Sequence, residues 1–158
     1  MKEMRRQDRK LTEKETGDII RNGEFGVLSM ICDDMKPYSI PLNYSYDESR
    51  QALYMHCSVE GGQKIDCIRK NPEVCFTIVE KTEPMPEKFA TKYWSANVFG
   101  KMSIIEEEAE KHHGIECILR KYAPEHFERG LKYIDGAFSK IHVLRLDIIE
   151  MTGKARKK

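Results

Sequence analysis

Residues 36–72 read KPYSIPLNYSYDESRQALYMHCSVEGGQKIDCIRKNP. Two strand-like runs, 38–46 and 52–57, flank a polar turn at 47–50. Gly61-Gly62 follows, then Lys64 near the start of a short helix over 63–70, which Asn71-Pro72 stops. A strand that runs through a glycine turn into a helix N-terminus is a place for an anion. Glycine lets the backbone come close, and the free amides and helix dipole favour negative charge. Ser58 and Lys64 can add a hydroxyl and a charge, although Lys64 alone also reads as a solvated helix residue. Ile65 and Ile68 give that helix an apolar face, while Asp66, Arg69 and Lys70 can face water.

Upstream, residues 1–10 are a polar, basic arm, loosely held unless a strand pins it. Thr12 opens a helix with a capping box to Glu15, and Asn22-Gly23 ends it. The run 25–31, FGVLSMI, reads as a strand buried on both faces. Asp33-Asp34 turns the chain into 38–46, where Pro41 marks an edge, a bulge or a break. This succession suggests a meander. Downstream come a strand over 74–79, a proline-containing polar loop over 81–88, and a long strand over 93–105 with Gly100 at a bulge or bend. Helices follow over 106–122 and from Pro124 to Asp135-Gly136, then a last strand over 141–151 and a basic, solvated tail over 153–158. Several strands with helices inserted late predict an α+β chain: a small β-barrel with peripheral helices.

Composition narrows the function classes. A chain of 158 residues, 40% hydrophobic, is one domain with a real core. A net charge of +1 and no aromatic-basic motif argue against a nucleic-acid partner. No apolar run approaches the roughly 20 residues of a membrane helix, and the N-terminus lacks a signal-peptide core. Five cysteines, Cys32, Cys57, Cys67, Cys75 and Cys117, include no C-x-x-C pair, so reduced structural thiols in a cytoplasmic protein are expected. His113 and Cys117 share a helix face, yet no second cluster completes a tetrahedral site, and no metal is expected.

The order of MRRQDRKLTEKE, GEFGVLSM, PYSIPLNYSY, LYMHCSVEGGQKIDCIRKNPEVCF, YWSANVFGKMSII and a closing strand ending MTGKARKK resembles the nitroimidazole-resistance branch of the pyridoxamine-phosphate-oxidase-like split barrels. The resemblance covers nearly the whole chain. It implies a six-stranded antiparallel Greek-key barrel, a homodimer, and FMN at the dimer interface, with FAD as the other flavin to consider. Carried over by position, Pro41, Leu42, Asn43 and Tyr44 run beside the flavin ring. His56, Cys57, Ser58, Gly61 and Gly62 line the ribityl and phosphate region, and Lys64 meets the phosphate. Tyr93, Trp94 and Ser95 approach from the long strand. Cys57 and Gly62 depart from the small or polar residues of many relatives.

On local grounds His56 also reads as an ordinary strand histidine, and Trp94 as a core filler or a stacking wall. Asn43 needs a hydrogen-bond partner if buried. The resemblance implies a flavin-dependent reductase of small oxidised compounds, nitroaromatic 5-nitroimidazoles among them, with no catalytic side chain named. The alternative is a non-catalytic split barrel that carries or senses flavin or haem.

Overall fold

The computed structural model describes residues 3–33 and 35–158. Asp34, half of the expected turn after the first strand, lies outside the described residues. Among the described residues, seven strands form one antiparallel sheet in the order β2-β1-β5-β6-β7-β4-β3. They are β1 (Gly26–Ile31), β2 (Pro37–Leu42), β3 (Ser45–Asp47), β4 (Ala52–Ser58), β5 (Glu73–Met85), β6 (Ala90–Ile104) and β7 (Ile141–Arg156). The described residues also form four α-helices: α1 (Glu13–Asn22), α2 (Gln63–Lys70), α3 (Glu108–Tyr122) and α4 (Phe127–Ala137).

The sheet is an open curl, and this corrects the expectation of six strands. β2 and β3 are its two edges, yet only Asn43 and Tyr44 separate them in the chain. The sheet must therefore bend round until its edges come near each other. Pro41 is tolerated because β2 is an edge strand, where a missing N–H breaks no ladder on its outer side. The expected single strand over 38–46 is two strands, because its halves pair with different neighbours, β1 and β4. That swap of partner also rules out a simple meander.

Burial explains the remaining pattern. β1 alternates buried and half-buried residues, and Phe25 before it is exposed, so only one face is packed. In β4, Ala52 to Met55 are all fully buried. Leu53 and Met55 face the main core with Leu28, Phe76, Val98 and Leu146. Ala52 and Tyr54 face a second cluster with Ile115 and Ile118 of α3 and Val143 of β7. Burying each of those isoleucines stabilises by ~1.5–3 kcal/mol. Gly114 makes the close approach possible: a Cβ there would lie 2.7 Å from Tyr54 and 2.8 Å from Val143.

Two stretches expected to be loose are ordered strand. Residues 81–88 extend β5 to Met85 and turn through Pro86–Lys88 into β6, a long hairpin with a register shift after Val79. The basic tail continues β7 to Arg156, paired with Tyr93. Leu11 N donates to Gly153 O (3.0 Å), Lys10 bridges Lys154, and Lys157 meets Glu15 (2.8 Å), so the arm is pinned by the last strand. The capping box of α1 is present, Gln63–Lys70 is helical as expected, and the β6–β7 register shifts between Phe99 and Gly100.

The thiols are also corrected. Cys32, just past β1, and Cys67 of α2 form a disulfide with Cα atoms 4.6 Å apart. A separation of 35 residues hides the pair in sequence; packing of α2 over the end of β1 brings the two together. Cys57, Cys75 and Cys117 are free thiols. No helix among the described residues is long and apolar enough to cross a membrane.

Candidate functional site

The turn from β4 into α2 has the backbone of an anion cradle. Gly61 N donates to Ser58 O (3.1 Å) and Ser58 Oγ accepts from Glu60 N (3.2 Å), which closes the bend. Gly61 and Gly62 then take φ of 73° and 101°, values that side chains strain to adopt. Gly62 is the N-cap of α2, and no side chain caps the helix. A Cβ on Gly62 would meet nothing within 4 Å, so the approach to the helix N-terminus is open.

Basic groups gather beside this turn. Lys64 Nζ reaches back to Gly61 O (3.4 Å), which sets its charge against the loop. A cleft of about 510 Å³ adjoins it, lined in part by Val59, Arg69, Lys111, Ser139 and His142, with Glu106 on the same wall. Lys111 Nζ donates to Phe138 O (2.7 Å) and stands over the Phe138 ring. None of Lys64, Arg69, Lys111 and His142 makes an ion pair among the described residues. His142 senses them all: partial burial, then the charges of Arg69, Lys111 and Lys64, hold its imidazole below the ordinary value. Burial pushes the Cys57 thiol up, and the Lys64 charge opposes that. His56 is lowered by desolvation.

The residues named from the sequence fall into groups. Ser45 pairs with Tyr54, so Asn43 and His56 leave the β3–β4 ladder at the same end. Pro41 and Leu42 pair instead with Val27 and Gly26 of β1, and Asn43, between the two edge strands, is exposed with its amide available. Cys57 packs partly against the main core. Tyr44 stands apart. It is fully buried, its hydroxyl donates to Ile20 O (2.6 Å), its ring meets Phe76 edge-on, and its backbone N and O both bond the Tyr122 hydroxyl. Its side chain is committed to the core.

Tyr93, Trp94 and Ser95 lie at the other end of β7, opposite Arg156, Ala155 and Lys154, whereas Ser58 pairs with Ile141. Trp94 is half-buried against the main core, and Lys81 Nζ lies 5.5 Å from its ring centroid. Sequence reasoning missed Arg69, Lys111 and His142. Arg69 resembled a solvent-facing helix residue, His142 is placed by the pairing of β7 with β4, and Lys111 by the docking of α3 on the sheet.

Residues 12–155 match the profile of pyridoxamine 5'-phosphate oxidase. The chain belongs to that family. Among proteins of this family's fold, a structure of a candidate 5-nitroimidazole antibiotic resistance protein from Bacteroides thetaiotaomicron covers 92% of this chain and 86% of its own, with a TM-score of 0.74 and 24% identity. The flavocytochrome Anf3 from Azotobacter vinelandii covers 99% of this chain and 73% of its own, with a TM-score of 0.78 and 17% identity. These likenesses are of fold. An uncharacterized protein of Rhizobium meliloti (strain 1021) is 32% identical over 72 residues, spanning 46% of this chain and 44% of that protein.

The residues present fit the phosphate and ring of a flavin nucleotide. The glycine turn, the uncapped N-terminus of α2 and Lys64 suit a phosphate. The exposed Asn43 amide suits a polar ring edge.

Proposed function

We propose that this protein binds a flavin nucleotide, FMN, and acts as a flavin-dependent reductase of small oxidised compounds. The observation that carries this reading is the pair of left-handed glycines opening onto an uncapped helix N-terminus, beside Lys64, Arg69, Lys111 and His142, none of them ion-paired among the described residues. In it, Ser58, Lys64 and the amides near Gly62 hold the phosphate, with Arg69 and Lys111 supplying the surrounding positive field and His142 placed to take up a proton when the phosphate is bound. Asn43 and the β2 edge orient the ring. The flavin supplies the hydride chemistry when bound. The chain's part is to bind it, orient it and limit water around it. Nitroaromatic compounds, 5-nitroimidazoles among them, are the substrates suggested by the likeness to the Bacteroides protein.

A homodimer belongs to the same reading. Tyr93, Trp94 and Ser95 are distant along β7 from the phosphate cradle of their own chain, so a second chain is the economical way to bring them to the cofactor. Phe25, Val79 and Ile149 are large exposed apolar side chains available to such an interface. The likeness to a flavocytochrome favours a second reading, a carrier or sensor of flavin or haem without turnover.

Titration of the purified protein with FMN, FAD and haem, followed by turnover with a nicotinamide donor and a nitroaromatic acceptor, tests both readings. FMN bound at micromolar concentration with donor oxidation supports the reductase. Tight cofactor without turnover supports the carrier, and no flavin binding removes the reductase reading. Light scattering of the flavin-bound protein tests the dimer; a monomer mass at every concentration contradicts it.

A further inference from the structure

Away from the glycine turn, β3 and α3 bring three different donor atoms to one point. Asp47 ends β3, and His113 and Cys117 lie one turn apart on α3. His113 Nε2 is 2.7 Å from Asp47 Oδ2 and 3.5 Å from Cys117 Sγ, and all three donor atoms lie within 4.8 Å of one another. Among the described residues this is the one cluster of its kind.

The geometry excludes one familiar use of Cys, His and Asp. The thiol and the carboxylate both meet the same ring nitrogen, so the imidazole cannot relay a proton between them as a catalytic triad requires. Convergence on one point is what a metal ion requires. With Zn–S of about 2.3 Å and Zn–N of about 2.05 Å, tetrahedral ligands place S and N about 3.5 Å apart. The Cys117–His113 distance already has that value. Asp47 Oδ2 has only to withdraw by about 0.6 Å from His113 for the N–O edge to fit the same tetrahedron.

The surroundings prepare the carboxylate. Asp47 Oδ1 accepts from Ser49 Oγ (2.6 Å) and from Arg50 N (3.2 Å), which leaves Oδ2 turned towards His113. The Asp47 side chain is only 10% exposed, while His113 is 33% exposed, so an ion can enter past the imidazole. Arg50 Nε lies 3.8 Å from Oδ2, and the same guanidinium is engaged by Glu110. Asp47 and a Cys117 thiolate together balance a dication.

We propose that Asp47, His113 and Cys117 form a zinc site that fastens the turn after β3 to α3, with a water or an outside ligand in the fourth position. On binding, the Cys117 thiol releases its proton to solvent, the His113 Nε2 proton is given up so that the neutral imidazole carries its hydrogen on Nδ1, and the His113–Asp47 hydrogen bond is replaced by two metal bonds. Nothing in this inference depends on the flavin.

The test is zinc competition against a chromogenic chelator with the full chain, without added thiol, together with the absorption spectrum of the cobalt(II) form. The parent should hold one zinc per chain and show the thiolate-to-cobalt charge transfer and strong visible bands of a tetrahedral site. Cys117→Ser should lose the charge transfer, and both it and His113→Gln should weaken zinc at least about tenfold. Cys57→Ser with Cys75→Ser should change neither. Circular dichroism and melting without metal establish that each variant is folded. A parent that retains no zinc at micromolar concentration overturns the proposal. So does a folded Cys117→Ser protein that binds zinc as the parent does, or a site lost with Cys57 and Cys75 instead.

Discussion

Both ends of β7 meet a cleft lined by basic side chains, and the two clefts treat charge differently. At the Arg156 end, Arg6 and Arg9 meet Asp8 and Lys157 meets Glu15. At the Ile141 end, Lys64, Arg69, Lys111 and His142 gather around a glycine turn, and none of them makes an ion pair among the described residues. One end uses cations to fasten the termini. The other sets them beside open helix amides, where Lys64 and Lys111 meet backbone carbonyls and Glu106 shares the wall. The count of basic residues therefore says little; their partners and the backbone they surround say more.

The largest effect expected is on the frame of the open end. The Cys32–Cys67 disulfide holds α2 to β1 across a separation of 35 residues. Closing a loop of that length limits the unfolded chain by ~3–4 kcal/mol. Cys67→Ser should lower the unfolding midpoint accordingly and raise amide exchange in α2, while amides paired around Gly153 keep their relative order of protection. An unchanged midpoint under non-reducing conditions would show that the bridge contributes nothing to the frame.

A smaller effect separates the ends by pH. In the free protein, burial and the neighbouring cations keep His142 below its ordinary 6.5. The unfolded chain then takes up the proton more readily, so this group makes stability fall as pH drops below that value. A bound phosphate reverses the local field and raises the pKa, so FMN should bind more tightly as pH falls from about 8 to about 6.5, by up to about tenfold. His142→Gln removes that dependence while keeping the phosphate's own titration. If parent and variant show the same pH profile, His142 does not face the phosphate.

The smallest effect belongs to the closed end. Glu15 is held down to about 2, chiefly by its hydrogen bond from Lys157. A depressed carboxylate contributes above its ordinary pKa of 4.5 and loses that contribution as pH falls towards about 2. The Leu11 amide, bonded to Gly153 O, should lose exchange protection over that window. Lys157→Ala should advance the loss, and an exchange profile unchanged in that variant would show that Lys157 does not hold the Glu15 carboxylate.

Much of this frame was legible in the sequence because it is local. The capping box at Thr12 and Glu15, the stop at Asn71-Pro72 and the glycine pair each depend on neighbours within a few residues. Most of the corrections involve partners distant in the chain; the hairpin over 81–94 is the local exception. β2 and β3 separate because their pairing partners differ, not because residues 43–44 carry a break signal. The tail is a strand because β6 is long enough to pair with it. Tyr44 looked like a strand residue beside the cofactor, yet Ile20, Phe76 and Tyr122 claim it for the core. Cys67 finds Cys32, and Asp47 finds His113, only after helices dock on the sheet.

A flavin whose phosphate sits at the Gly61–Lys64 turn must lose affinity with that lysine, while a flavin without a phosphate must not. Fluorescence titrations would measure FMN and riboflavin binding to the parent and to Lys64→Ala. A charge-assisted hydrogen bond contributes roughly 1.5–3 kcal/mol, so Lys64→Ala should weaken FMN by about one to two orders of magnitude. Riboflavin, which has no phosphate, should bind both proteins alike. Equal FMN affinity in parent and variant, or an equal loss for both ligands, would contradict the placement of the phosphate at this turn.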